Sequence, residues 1–320
     1  MDRLLSFSDD EYSIQKFDGS AENVRAFLTE HRLDGLELMR WENPQEDAVP
    51  MEAVKGRHMP YWPTFLDFWR VDMDALRRQF DSRENWRGYY FADTREEFVQ
   101  QRHGEFLDAA RMGVRYAVVH VSHSELAHCY SGEFPYTDTE IADAYIEMLN
   151  EALRGVPESF ELRFENHWLP GLTFLEAGVA MKLLERVTYP RKGFVLDISH
   201  LMNTNPGLAD EKEAVDYILQ RLKDLGEAQR HIRTVHLNSS ITGTRRILGS
   251  FDAGMEFIPR LITAMKHVGA MDPHRPFEDG AILRVLEAVQ PEHLVYELSA
   301  KSLEELRAAV SAQNRAFGIE

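Results

Sequence analysis

Short apolar runs alternate with amphipathic stretches along the whole chain, and the runs have the length of strands rather than of buried helices. Eight of them are candidate strands: Arg3–Phe7, Gly35–Arg40, Lys55–Tyr61, Tyr116–Val121, Phe160–Glu165, Gly193–Asp197, Ile232–His236 and Leu294–Glu297. Two runs, 116–121 and 193–198, are almost continuously apolar, as a parallel strand covered by helices on its faces requires. Between the runs lie helices with recognisable starts. Thr137 and Glu140 are spaced as a capping box before Ile141, Tyr145, Met148 and Ala152, which recur on one face. Ser302 and Glu305 repeat the pattern before Leu303, Leu306 and Val310. Eight strands alternating with helices predict an α/β fold of the closed (β/α)8 TIM-barrel type rather than an open doubly wound sheet.

Two intervals are longer than such a barrel needs. Trp62–Asp93, after the third run, is rich in Phe and Trp, and Asn238–Met271, after the seventh, contains a helical pattern at Phe257–His267. Enlarged loops on the carboxyl face of a barrel carry specificity, so both are expected to wall the substrate. A barrel typically takes about 250 residues, so 320 residues are read as one domain, 1–320, with enlarged loops after strands 3 and 7.

Composition narrows the partners. The net charge of −17, from 36 basic and 53 acidic residues, disfavours a general nucleic-acid binder without excluding a local basic groove. A single cysteine, Cys129, rules out an intrachain disulfide and fits a reducing compartment. The N-terminal stretch turns acidic within ten residues, unlike a secretory signal, and no apolar run approaches the roughly 20 residues of a membrane helix. A cytoplasmic protein without membrane contact is expected.

The chemistry gathers at the strand ends. His58 falls late in the third run; His120, Glu165, Asp197, His236 and Glu297 fall at or near the ends of later ones, and His200 follows Asp197 by three residues. Asp272 and His274 form an Asp-Pro-His step ahead of the last strand. In a parallel barrel all strand ends open on one face, so these residues are expected to converge. Crowded carboxylates repel and take up protons unless a cation lies among them, and imidazole with carboxylate suits Zn, Mn, Fe, Co or Mg. Alone, each such residue is more often a hydrogen-bonded or surface group; so many at one structural address is a different matter.

With those residues in view, the chain resembles the xylose isomerase-like TIM-barrel superfamily, and its motifs look most like the endonuclease IV branch. His58 with Pro60 and Tyr61 is similar to the branch's His-x-Pro-Tyr, and His120 falls where it has a histidine after strand four. Glu165-Asn166 is similar to its Glu-Asn step, 196–200 to its Leu-Asp-x-x-His, and 236–238 to its His-Leu-Asn. The resemblance implies one to three divalent ions. Glu165 would bridge the first two, with His58 and His120 completing one site and Asp197, His236 and Glu297 the next; His200, Asp272 and His274 would hold a third. The interval between His236 and Asp272 is longer than in that branch, and an Asp-Pro-His step also makes an ordinary turn. The simpler sugar isomerase and epimerase site needs only Glu165, Asp197, His236 and Glu297.

Other residues carry two readings each. His200, His123, Trp168 and Tyr61 are candidates for substrate contact, although Trp168 as loop packing and His128 as a solvent-facing residue are the blander readings. Trp62, Phe65, Phe68 and Trp69 either roof the pocket or form the insertion's own small core. Glu37 points into the barrel or toward its mouth, behind the ligands, and Arg245 with Arg246 either grip a phosphate or are simply solvated.

The leading expectation is a metal-dependent isomerase or epimerase of a small carbohydrate-like substrate, with Glu165 and Glu297 as the catalytic groups that move a proton α to a carbonyl. The alternative is an endonuclease IV-like phosphoester hydrolase, acting on abasic-site DNA or a small phosphate ester. A barrel that binds a metabolite without chemistry, and oxidation at an iron cluster, are further possibilities.

Overall fold

The computed structural model describes residues 1–41, 46–61, 63–241 and 250–319. Trp62, Arg245 and Arg246 lie outside the described residues. Eight strands, β1 (Asp2–Ser8), β2 (Gly35–Met39), β3 (Val54–His58), β4 (Tyr116–His120), β5 (Glu161–Glu165), β6 (Lys192–Asp197), β7 (Ile232–Leu237) and β8 (His293–Tyr296), close into a barrel in sequence order. Every neighbouring pair is parallel, β8 with β1 included. The fold is a (β/α)8 TIM barrel. All eight expected strands are present. The third ends at His58 rather than Tyr61, because Pro60 has no N–H for a ladder. The last begins one residue earlier and leaves Glu297 just past its end.

Apolar side chains fill both layers. Leu4, Tyr116, Val118, Val195 and Val295 pack inside the barrel, and a larger shell of buried residues joins the strands to the surrounding helices. Arg163 carries a buried charge across the interior. The Arg163 guanidinium donates to Thr234 Oγ1 at 2.6 Å, His293 Nδ1 at 2.9 Å, Glu161 Oε1 at 3.0 Å and Glu292 Oε2 at 2.7 Å, so its desolvation is offset on every side.

Helix starts follow the sequence signals. Thr137 and Glu140 make the reciprocal capping box of helix Asp138–Ala152. At helix Leu303–Ala316 only half the box forms: Ser302 caps the Glu305 N–H, but the Glu305 carboxylate accepts from Lys301 N at 2.7 Å.

The interval after β3 folds into short helices, Leu66–Arg70, Met73–Phe80 and Arg83–Tyr90, ahead of the long helix Arg95–Met112. Phe65, Phe68, Trp69, Phe80 and Tyr90 are buried together there, with the Phe68 and Tyr90 rings 4.2 Å apart. For the described aromatics of this insertion, the small-core reading is the right one. The interval after β7 carries helix Phe257–Met271, and the two insertions meet: Phe80 packs on Phe257 with ring centroids 5.1 Å apart, and Arg260 donates to Gln79 O at 2.6 Å and Asp81 Oδ1 at 2.9 Å. Among the described residues, no helix is long and apolar enough to cross a membrane.

Candidate metal centre

Strand register brings the expected residues to one address. His58, His120, Glu165 and Asp197 are the last residues of β3 to β6, His236 is the penultimate residue of β7, and Glu297 follows β8. Their ligand atoms form overlapping groups within 4.8 Å: His58, His120 and Glu165; Glu165, Asp197, His236 and Glu297; and Glu37, His58 and His236. His200, Asp272 and His274 make a further group.

The last group is assembled by local capping and by a loop clasp. Asp197 Oδ1 caps helix Ile198–Asn203 by accepting from His200 N at 2.7 Å, which fixes the His200 backbone beside the strand end. The Asp-Pro-His step is drawn in by an antiparallel bridge, in which Ser239 N donates to Arg275 O at 2.7 Å and Arg275 N to Ser239 O at 3.0 Å. Ser199 and Ser240 hydroxyls then donate to Asp272 Oδ1 at 2.6 and 2.7 Å, leaving Oδ2 to face His200 and His274 at 3.2 and 2.7 Å. The long interval after His236 therefore does not displace Asp272.

Hydrogen-bond roles show what the centre can hold. A backbone carbonyl only accepts, so His58 Nδ1, 2.9 Å from Met59 O, carries the ring proton, and so does His200 Nδ1, 2.9 Å from Asn166 O. Glu37 Oε2 accepts from His236 Nε2 at 3.2 Å in the same way. Each ring therefore turns a lone pair toward a carboxylate oxygen: His58 Nε2 on Glu165 Oε2 at 3.1 Å, His200 Nε2 on Asp272 Oδ2 at 3.2 Å, and His236 Nδ1 on Glu297 Oε2 at 3.0 Å. Two electron-rich atoms at such distances repel unless a proton or a cation lies between them. Glu165 Oε1, His236 Nδ1 and Glu297 Oε2 are buried and make no hydrogen bond. The donor set fits divalent cations bound by imidazole and carboxylate.

Without cations, protons take their place. Burial disfavours the charged His236 and His200 rings, yet Glu37 beside the one and Asp197 beside the other hold them well above the usual imidazole range. Burial also opposes charge on His274, and Asp272 with Glu297 nevertheless raises it to about 9. Glu165 would be pushed up by burial, but His120 and His236 bring it well below the carboxylate range. Asp197 keeps the burial effect and is raised to about 6.

Several supporting residues have no role in the sequence reading. Asn166 donates to Asp197 O at 3.0 Å and accepts from Asp197 N at 2.8 Å; Asn238 donates to Asp197 Oδ2 at 3.0 Å and accepts from Ser199 N at 3.0 Å. Both sit inside motifs visible in the sequence, the Glu-Asn and His-Leu-Asn steps, which was the available signal. His167, which follows the same Glu-Asn step, stacks on Trp168 at 4.1 Å and lies 4.5 Å from His200, with Nδ1 accepting from Leu169 N at 3.0 Å.

The expected substrate contacts divide. Tyr61 packs 4.3 Å from His120, with its hydroxyl engaged by Ser122 Oγ at 2.6 Å, and Trp168 lies 5.0 Å from His200, so both flank the centre. His123 does not join it. Its Nδ1 accepts from Phe65 N at 2.9 Å and Leu66 N at 3.2 Å, and its Nε2 stands 3.6 Å from Asp67, because the insertion's first helix needs an acceptor for those amides. His128 packs beside Tyr136, with ring centroids 5.6 Å apart.

Comparison with known proteins agrees with this architecture. Residues 89–314 match the family described as xylose isomerase-like TIM barrel. The crystal structure of AsfvAP:AG superposes with a TM-score of 0.53 at 12% identity, covering 99% of this chain and 98% of the other. A sugar phosphate isomerase/epimerase from Parabacteroides distasonis gives 0.51 at 13% identity, covering 98% and 97%. No curated protein sequence matches significantly. A closed eight-stranded barrel, with a family match over most of its length, places the chain in the xylose isomerase-like TIM-barrel family.

Proposed function

We propose that this chain is a divalent-metal-dependent enzyme, a single barrel domain over residues 1–320, that isomerises or epimerises a small sugar or sugar-like substrate. The observation that carries this reading is the quartet Glu165, Asp197, His236 and Glu297, whose ligand atoms lie within 4.8 Å of one another. A cation held there neutralises the carboxylates and, as a Lewis acid, polarises a substrate carbonyl.

The remaining work falls to the side chains. Asn166 and Asn238 hold Asp197, and Glu37 holds His236, so the floor of the centre is rigid. Glu297, 20% exposed, stands at the rim with Oε2 3.0 Å from His236 Nδ1 and Oε1 3.9 Å from His274 Nδ1, while Glu165 is buried in the floor. Glu297 takes a proton from the carbon next to the carbonyl and ends as the carboxylic acid, while Glu165, which must enter the step protonated with substrate bound, gives its proton to the substrate and ends as the carboxylate. Tyr61 and Trp168 flank the centre as apolar walls that keep water from the reacting carbon. The Parabacteroides fold neighbour carries a description that agrees with this chemistry.

The test is incubation with aldoses and ketoses in D2O with Mn²⁺, Co²⁺ or Mg²⁺. Conversion accompanied by deuterium at the carbon next to the carbonyl is the expected result. Absence of both across a broad panel, with metal bound, contradicts it.

A specific observation favours a second reading. Glu165 has both oxygens against imidazoles, Oε2 on His58 at 3.1 Å and Oε1 on His120 at 3.1 Å, so these residues would suffice to hold more than one ion, and His200, Asp272 and His274 add a third group. Two or three ions held by these residues would suit hydrolysis of a phosphoester, since such a cluster would supply a hydroxide and stabilise the entering and the leaving oxygen. Incision of an abasic duplex or release of phosphate from a small ester, with no sugar conversion, would establish this reading instead.

A further inference from the structure

Glu37 is fully buried on β2, inside the barrel and below the centre. Its Oε1 lies 3.0 Å and its Oε2 3.2 Å from His236 Nε2, and Tyr116 OH, from β4, donates to Oε2 at 2.7 Å. The Tyr116 ring lies in turn under the Arg163 guanidinium, 4.3 Å from its centroid, and Arg163 is tied to β7 and β8 through Thr234 and His293. Gly56, opposite on β3, gives the Tyr116 ring its room, since a Cβ there would collide with it.

A carboxylate in such a place is costly to bury and does nothing for the packing of the apolar interior. Its position has one chemical consequence. An imidazole has two tautomers, and a carboxylate accepting from Nε2–H selects the one whose lone pair is on Nδ1. Nδ1 is the atom that faces Glu165 at 3.5 Å, Asp197 at 3.9 Å and Glu297 at 3.0 Å.

We infer that Glu37 is a positioning residue of the metal centre: held by Tyr116, it fixes the His236 ring and its tautomer so that Nδ1 ligates the cation. The inference rests on the centre binding metal, but not on the reaction proposed for it. Carboxylate partners of metal-bound histidines orient the ring and strengthen the ligand, and losing one typically weakens metal affinity about 10- to 100-fold. Tyr116→Phe leaves the carboxylate in place and is expected to have a smaller effect.

The test is a titration of chelator-stripped protein with Zn²⁺ against a competing indicator, for the wild type, Glu37→Gln, Glu37→Asp and Tyr116→Phe. Glu37→Gln should weaken the tightest site about 10- to 100-fold while secondary-structure content is retained. If that variant does not fold, Glu37→Asp serves, since its carboxylate is one methylene short of His236 and should weaken the same site. Imidazole 15N shifts of the stripped wild type at high pH should show His236 protonated on Nε2. Wild-type affinity in folded Glu37→Gln or Glu37→Asp, or His236 protonated on Nδ1, overturns the role. Wild-type protein that binds no Zn²⁺ removes the centre and this role with it; protein that binds Zn²⁺ but converts no sugar sinks only the proposed reaction.

Discussion

His200 Nε2 lies 3.2 Å from Asp272 Oδ2, although one residue belongs to the helix that β6 feeds and the other to the end of the long insertion after β7. Ser199 and Ser240 hold the other Asp272 oxygen, so the contact is built from both sides. Asp272→Asn should therefore lower metal stoichiometry by one equivalent and leave the quartet around His236 loaded. Elemental analysis of the two proteins side by side checks this; equal metal content would show that this third group holds no ion.

The imidazoles set a pH dependence for the stripped protein. His274 is raised from an ordinary 6.5 to about 9 in the folded state, so the folded protein binds the extra proton between those values. That contribution to stability is complete below pH 6.5 and is lost as pH rises through about 9. Thermal midpoints of stripped protein should fall over this window, while metal-loaded protein, whose imidazoles are neutral ligands, should hold level. A stripped protein equally stable at both ends would refute the assignment.

Glu297→Gln keeps size and hydrogen-bonding capacity but removes the base at the rim. Turnover should drop by about 10²- to 10⁴-fold, the usual contribution of a positioned general base. Steady-state kinetics on the substrate found by the D2O screen are the measurement. Turnover within a few-fold of wild type would take Glu297 out of the reaction.

His123→Ala removes the acceptor of the Phe65 and Leu66 amides, beneath the aromatic insertion. Leaving buried donors unpaired costs about 1–3 kcal/mol each. Urea unfolding should register the loss, with metal content unchanged. A stable variant with altered metal content would instead return His123 to the centre.

Gly56→Ala places a methyl group against the Tyr116 ring. Overpacking of this kind costs about 1–3 kcal/mol. Unfolding curves should shift by that order, and Zn²⁺ affinity should weaken as Tyr116 moves from Glu37. No change in either quantity would mean that the barrel interior yields without effort.

Much of this was legible in the chain itself. Buried parallel strands are largely apolar on both faces, so runs such as 116–121 announce themselves, and a His, Asp or Glu that closes such a run marks a strand end. That is why His120, Glu165 and Asp197 could be read as neighbours. His123 was misplaced for the converse reason: three residues past a strand end the chain has already turned, and only the fold shows that the insertion's amides claim the ring. The parts played by Asn166, Asn238 and His167 depend on hydrogen bonds and ring contacts between separate segments, which no periodicity encodes.

Lone pairs of His58, His200 and His236 face carboxylate oxygens, the arrangement that a site for divalent cations requires. Metal content of protein purified without chelator and then offered Zn²⁺, Mn²⁺ and Fe²⁺ is the direct measurement. One to three bound equivalents, with those held by the quartet lost when Glu165 and His236 are replaced together by Gln and Asn, is the predicted result. Protein that retains no divalent ion under any of these conditions contradicts the account.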